Sequence, residues 1–414
     1  MELVVEGQLW IDGQRVKGCV GIEDGCIKAV KKVLHGERHI DYGDSLIFPG
    51  AIDAHVHFRE PGQTAKEDFF TGSRAAALAG VTTALDMPNN QPPTIAAAAL
   101  QEKARRASQK ACIDIGLYSG VTPGCDVEAM ASRCIGFKIY LSGDNDIVVP
   151  DGELPDLLGR IQKTGRVLAV HAEHASCIEG KTAKSLSEHE RNRPVHCEVE
   201  GIQRMLTANR DIGARLHICH LSSSEAAGLV QRSDATGGVT LHHLLLSTSS
   251  SFEMEAMGKV NPPLRSDGTR AELWRMMQEG DIDICESDHA PHLREEKESM
   301  EEAPSGIPGV DAMLPLLLWH VKHERLSLAL VHRMCCQRPA EIFKRDRGTL
   351  APGNTADLLI VDFKESRIKP HSKCGWSPYE GWPAVYPREV YLHGERIVED
   401  GEFTGEPGMG RVVT

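Results

Sequence analysis

The chain has 414 residues, 41% of them hydrophobic and 25% charged, a soluble globular balance with length for one large domain and one smaller. Its formal charge of −13 excludes nucleic acid or an anionic membrane as the principal partner, although a pocket can still be locally positive. The 12 cysteines include no CxxC pair and several lie in apolar runs, which points to reduced thiols in a cytoplasmic protein rather than a disulfide framework.

The opening stretch, MELVVEGQLWIDGQRV, lacks a basic segment leading into an apolar one, so no signal peptide is expected. The longest apolar run, near 313–319, is too short to span a bilayer. Residues 1–48 read as short strands punctuated by Asp12-Gly13 and Asp24-Gly25, dipeptides that favour hairpin turns. The other end has the same texture, with strand-like runs at 357–362 and 388–392. The expectation is a small β-sandwich domain built from both termini, 1–48 and 346–414, around a large insert at 49–345.

The insert alternates apolar strands with helical stretches, one example running from Ala65 to Ala79. Strands are expected at 51–58, 82–88, 112–121, 134–141, 166–173, 214–222, 238–246 and 282–288. Eight such units over roughly 300 residues predict an α/β fold, a (β/α)₈ TIM-type barrel. A doubly wound sheet would carry a glycine-rich phosphate turn after its first strand, and none is present.

Barrel enzymes place their chemistry at the C-terminal strand ends. There this chain sets His55, His57 and Arg59, then Asn89, Lys138, His171, His220 and Asp288. On an extended strand 55, 57 and 59 share a face, so two imidazoles can hold one metal beside a guanidinium able to grip a carboxylate. His171, His220 and Asp288 extend this to a metal-ligand set. Periodicity puts His217 and His220 on opposite faces and does not choose between them. It also allows only one of His242 and His243 to point inward, and both read as structural. His174, His189 and His196 read as solvated. Lys138, inside the barrel, either snorkels to the rim or captures carbon dioxide as a bridging carbamate.

These residues and their surroundings resemble the amidohydrolase superfamily, and within it the class I dihydroorotases. The matching segments are PGAIDAHVHFREPG at 49–62, DMPNNQPPT at 86–94, GFKIY at 136–140, VHAE at 170–173, HICHLS at 217–222, VNPPLR at 260–265, SDHAPH at 287–292 and GTLAPGNTAD at 348–357. The segment 142–150 has no counterpart among them. The resemblance implies two zinc ions, one held by His55, His57 and Asp288 and the other by His171 and His220, bridged by carboxylated Lys138. Some members carry aspartate at the bridging position. It further implies that Arg59, Asn89 and His292 bind a substrate carboxylate and that Asn261 contacts the ureide.

The implied reaction is the reversible cyclisation of N-carbamoyl-L-aspartate to L-dihydroorotate plus water in pyrimidine (UMP) biosynthesis. A metal-bridged hydroxide attacks, and Asp288 shuttles the proton. The expected partners are a small-molecule substrate and either a second copy, as a homodimer, or a transcarbamoylase. An allantoinase or hydantoinase is the alternative, but those relatives generally lack the arginine two places after HxH. An inactive structural homologue would have lost ligands that are all present here.

Overall fold

The computed structural model describes residues 1–143, 147–180 and 182–414, so part of the unmatched segment 142–150 lies outside the described residues. Both Asp-Gly pairs form hairpin turns. Asp12 and Gly13 take φ of 48° and 77°, and Asp24 and Gly25 take 52° and 72°, the left-handed geometry of two-residue loops. They join Leu3–Ile11, Gln14–Glu23 and Cys26–Lys31 into an antiparallel ribbon. Leu3–Ile11 also pairs in parallel with Arg38–Pro49, which pairs antiparallel with Leu358–Val361. Glu389–Leu392, Glu395–Glu399 and Glu402–Phe403 complete an eight-stranded sheet drawn from both ends of the chain. This sheet has a core of its own, in which Val5, Leu9, Ile22, Ile27, Leu358 and Ile360 are buried together.

Gly50 alone separates that sheet from the barrel. Its N–H donates to the Asp357 carbonyl at 2.9 Å, and a Cβ there would lie 2.2 Å from Thr82 Oγ1, so glycine is required. Eight parallel strands then follow in chain order: Ala51–Val56, Val81–Asp86, Asp114–Gly120, Gly136–Tyr140, Val167–His171, Arg215–Leu221, Thr236–Thr240 and Ile284–Glu286. A parallel bridge from Val56 to His289 brings the eighth round to the first. All eight overlap the predicted segments. Burial on both faces explains why they read as apolar runs rather than alternating ones.

Two boundaries differ for local reasons. The helix expected from 65 begins at Phe69, because Asp68 and Thr71 form a capping box at its start. The strand expected through 246 stops at Thr240, whose side chain caps a short helix, Leu241–Leu245. His242 and His243 therefore ride on a helical turn, and both are buried. His243 bonds Thr240 Oγ1 at 2.7 Å and the Pro262 carbonyl at 3.0 Å.

Leu85, Tyr118, Ile135, Ala169 and Ile284 fill the barrel interior, and Ile342 and Phe343 from the helix Arg338–Phe343 join them. The tail also contacts the barrel. Val412–Val413 pairs in parallel with the third strand at Ile115 and Gly116, and buried Trp376 donates its indole N–H to the His292 carbonyl at 2.8 Å. Among the described residues, no helix is long and apolar enough to cross a membrane.

Candidate active site

The first strand ends at Val56, so His57 and Arg59 lie just beyond it and not on the strand itself. The His57 N–H donates to the His289 carbonyl at 2.7 Å, and Arg59 turns back with φ of 60°. His220 and Asp288 also have positive φ, 40° and 44°. Non-glycine residues seldom adopt this region, and it is strained backbone of the kind that concentrates at functional sites.

The result is a tight cluster. His55 Nε2 lies 3.2 Å from His57 Nε2 and 3.2 Å from Asp288 Oδ1, and the third side of that triangle is 3.0 Å. His171 Nδ1 and His220 Nε2 stand 3.1 Å apart, with the His55 and His220 rings 5.3 Å between centroids. Burial pushes all four imidazoles below their ordinary value, His55 to about 4, so each is neutral at pH 7 and presents a lone pair. His57 Nδ1 donates to Asn89 Oδ1 at 2.7 Å, leaving its Nε2 bare toward the other two groups. The separations are close to those of neighbouring ligands about 2.0–2.1 Å from one tetrahedral zinc. His55, His57 and Asp288 thus fit a metal, and His171 with His220 offers a second pair of nitrogens beside them.

Several supporting residues escaped the sequence reading. Glu173 takes the His171 Nε2–H at 3.0 Å and is gripped by Arg193 through Nη2 at 2.7 Å and Nε at 3.1 Å. Burial opposes ionisation of Glu173, but Arg193 and His171 override it and hold the carboxyl well below the usual range. The VHAE segment carried the clue, since 171 and 173 share a face. Glu286, fully buried, faces His55 Nδ1 at 3.7 Å and His217 Nε2 at 3.5 Å, and accepts the His220 backbone N–H at 2.5 Å. His217 and His220 therefore do not fall on opposite faces as the periodicity suggests; the irregular backbone at His220 keeps both histidines within the barrel. Gly238 makes room, because a Cβ there would lie 2.6 Å from the Glu286 carboxyl carbon. Glu286→Gln should weaken zinc binding by about 10–100-fold, as losing a ligand-orienting carboxylate does elsewhere. Competition with a chromophoric chelator measures this; unchanged affinity would reduce Glu286 to a packing role.

Lys138 is fully buried, with Nζ 3.2 Å from Cys219 Sγ and 4.9 Å from the Tyr140 ring centre. A cavity of about 420 Å³ opens over the cluster, lined by His55, His57, Arg59, Asn89, His171, Arg193, His220, Asn261 and Asp288 among others. Asn261 Oδ1 is held by His189 Nε2 at 2.9 Å; His189 and His174 are buried, not solvated as expected, while His196 is exposed.

His292 lies beside Arg59 rather than on the cavity lining. Burial and the nearby Arg59, Lys297 and Lys66 push His292 far below its ordinary value, so it is neutral. Lys66 Nζ stands 3.0 Å from its Nδ1 and Arg59 Nη2 3.0 Å from its Nε2; both are donors and a neutral imidazole has one bare nitrogen, so one of the two contacts sets donor against donor. Two donors thus stand side by side, an arrangement that an anionic acceptor resolves. Buried Lys103 binds Asp86 at 2.5 Å, the Met87 carbonyl at 2.7 Å and Asn90 Oδ1 at 2.6 Å, which fixes the turn carrying Asn89.

An eight-stranded parallel barrel with histidines and an aspartate gathered at its C-terminal mouth defines a class of hydrolase. Residues 46–396 match the Amidohydrolase family, and the chain belongs to it. It is 36% identical to a dihydroorotase of Halobacterium salinarum, over 90% of this chain and 91% of that one. It is 34% identical to a dihydroorotase of Methanosarcina acetivorans, over 94% and 90%. Among solved structures, an L-hydantoinase (dihydropyrimidinase) from Arthrobacter aurescens superposes with a TM-score of 0.94 at 29% identity, covering 100% of this chain and 99% of that one.

Proposed function

We propose that the protein is a zinc-dependent dihydroorotase, interconverting N-carbamoyl-L-aspartate and L-dihydroorotate. The observation that carries this reading is Arg59. It lines the cavity, is only 7% exposed, and among the described residues forms no ion pair, bonding only the Pro291 carbonyl and His292. A buried cation with no carboxylate in direct contact is costly, and a ligand carboxylate supplies that contact. Dihydroorotate carries that carboxylate, whereas hydantoin does not. The dihydroorotase relatives support the same choice.

His55, His57 and Asp288 would hold one zinc and His171 and His220 the other, with Lys138, as a carbamate formed with carbon dioxide, between them. Bound there, the two ions supply an acidified water and a polarised ring carbonyl. In ring opening Asp288 takes the proton of the attacking water and delivers it to the departing ring nitrogen; in closure it runs the other way. Arg59, Asn89 and His292 orient the carboxylate, and Asn261 contacts the ring from the cavity wall. Glu173 and Glu286 hold the imidazoles in register.

Purified protein should turn over dihydroorotate, and allantoin and hydantoin far less, with two zinc ions per chain by metal analysis. Turnover of hydantoin or allantoin without dihydroorotate would overturn the assignment. The hydantoinase reading rests on the overall superposition and on 31% identity to an L-hydantoinase of Paenarthrobacter aurescens, which the Arg59 environment outweighs.

A further inference from the structure

Away from the barrel mouth, Cys177, His196 and Cys197 bring one ligand atom each to within 4.8 Å of one another. We propose that they form a separate metal site, selective for zinc or a similarly soft divalent ion. Cys177 ends the single turn Ala175–Cys177 that follows the fifth barrel strand, and His196 and Cys197 open the helix Val195–Asn209. The two segments are already stitched together, the His174 N–H donating to the Cys197 carbonyl at 2.9 Å and the Cys177 thiol to the His174 carbonyl at 3.3 Å. The ligand atoms are therefore gathered before any ion arrives.

The chemistry of the set is that of zinc. Two sulfurs and an imidazole suit a borderline-soft ion and not magnesium or calcium. Ligands about 2.0–2.3 Å from one tetrahedral ion lie roughly 3.3–3.8 Å apart, so side-chain rotations that draw the three atoms in from at most 4.8 Å close the site. Cys197 is fully buried, Cys177 half-buried and His196 exposed, which leaves the fourth position to solvent on the His196 side. An ion would displace the thiol protons to water.

The site has a structural consequence. It closes the segment between the fifth strand and the helix at 195, which carries His189, on Asn261, and Arg193, on Glu173. A metal there would clamp that wall of the cavity from outside.

The full chain, purified under reducing conditions and loaded with Co²⁺, should show a thiolate-to-cobalt charge-transfer band. It should also bind one more equivalent of zinc than Cys177→Ser or His196→Ala, both of which change residues outside the buried core. Cys219→Ser should keep the band, separating this site from the thiol inside the barrel. Zinc should also shield Cys177 from iodoacetamide, read by peptide mass. Equal metal content in the wild type and both variants, no band, or a mass two hydrogens lighter from a Cys177–Cys197 disulfide would each overturn the proposal. None of these readouts depends on the substrate of the barrel site.

Discussion

Asp288→Asn should lower kcat for dihydroorotate by about 10³-fold, within the range that a positioned acid–base group contributes. The side chains are nearly the same shape, and Asp288 Oδ1 touches only imidazole nitrogens, at 3.2 and 3.0 Å, so the fold has little reason to change. The amide can still donate a lone pair to a metal but cannot carry a proton between water and nitrogen. Zinc content therefore separates two roles. Turnover lost with zinc retained assigns the proton transfer to Asp288. Zinc and turnover lost in proportion would make Asp288 a ligand and nothing more, and the proton path would need another group.

The parts of this site that were legible in the sequence are those that follow from position along a strand. His55, His171, His220 and Asp288 each stand at or just past the end of a barrel strand, and the apolar runs before them located those ends. His57 and Arg59 were found by an alternation that the backbone does not obey, since the strand stops at Val56; a positive φ at Arg59 delivers its side chain to the cavity instead. The same kind of turn at His220 defeated the alternation for His217, which reaches Glu286 inside the barrel. Glu286 itself was hidden in a short strand that reads as apolar apart from this one carboxyl. Arg193 and Lys66 act across 20 and 226 residues of chain, and no local pattern reports such pairs. His189 lies on a polar-looking helix, yet its side chain is sequestered by Val260 and Asn261 from a distant loop.

Arg59→Met should separate substrates that the metal ligands alone treat alike. With dihydroorotate, kcat/KM should fall by about 10–100-fold, the worth of a hydrogen-bonded charge pair. The loss should appear mainly in KM, because the carboxylate is bound equally before and during reaction. With hydantoin or dihydrouracil, which have no carboxylate, the variant should match or exceed the wild type. Zinc content should not change, since Arg59 bonds only the Pro291 carbonyl and His292. A parallel fall for neutral and anionic substrates would mean that the arginine holds the metal ligands in place, and the carboxylate argument would fail. Stability gives an independent check. In the free protein the guanidinium is buried beside a neutral imidazole, with Lys66 on the far side of that ring and no ion-pair partner of its own among the described residues. Replacing a buried charge that has no carboxylate in ion-pair contact by an apolar chain of similar length is neutral or stabilising. The melting temperature of ligand-free Arg59→Met should therefore equal or exceed that of the wild type, and dihydroorotate should raise only the wild-type value. A variant that melts lower without ligand would show that Arg59 is held for the fold rather than for the substrate.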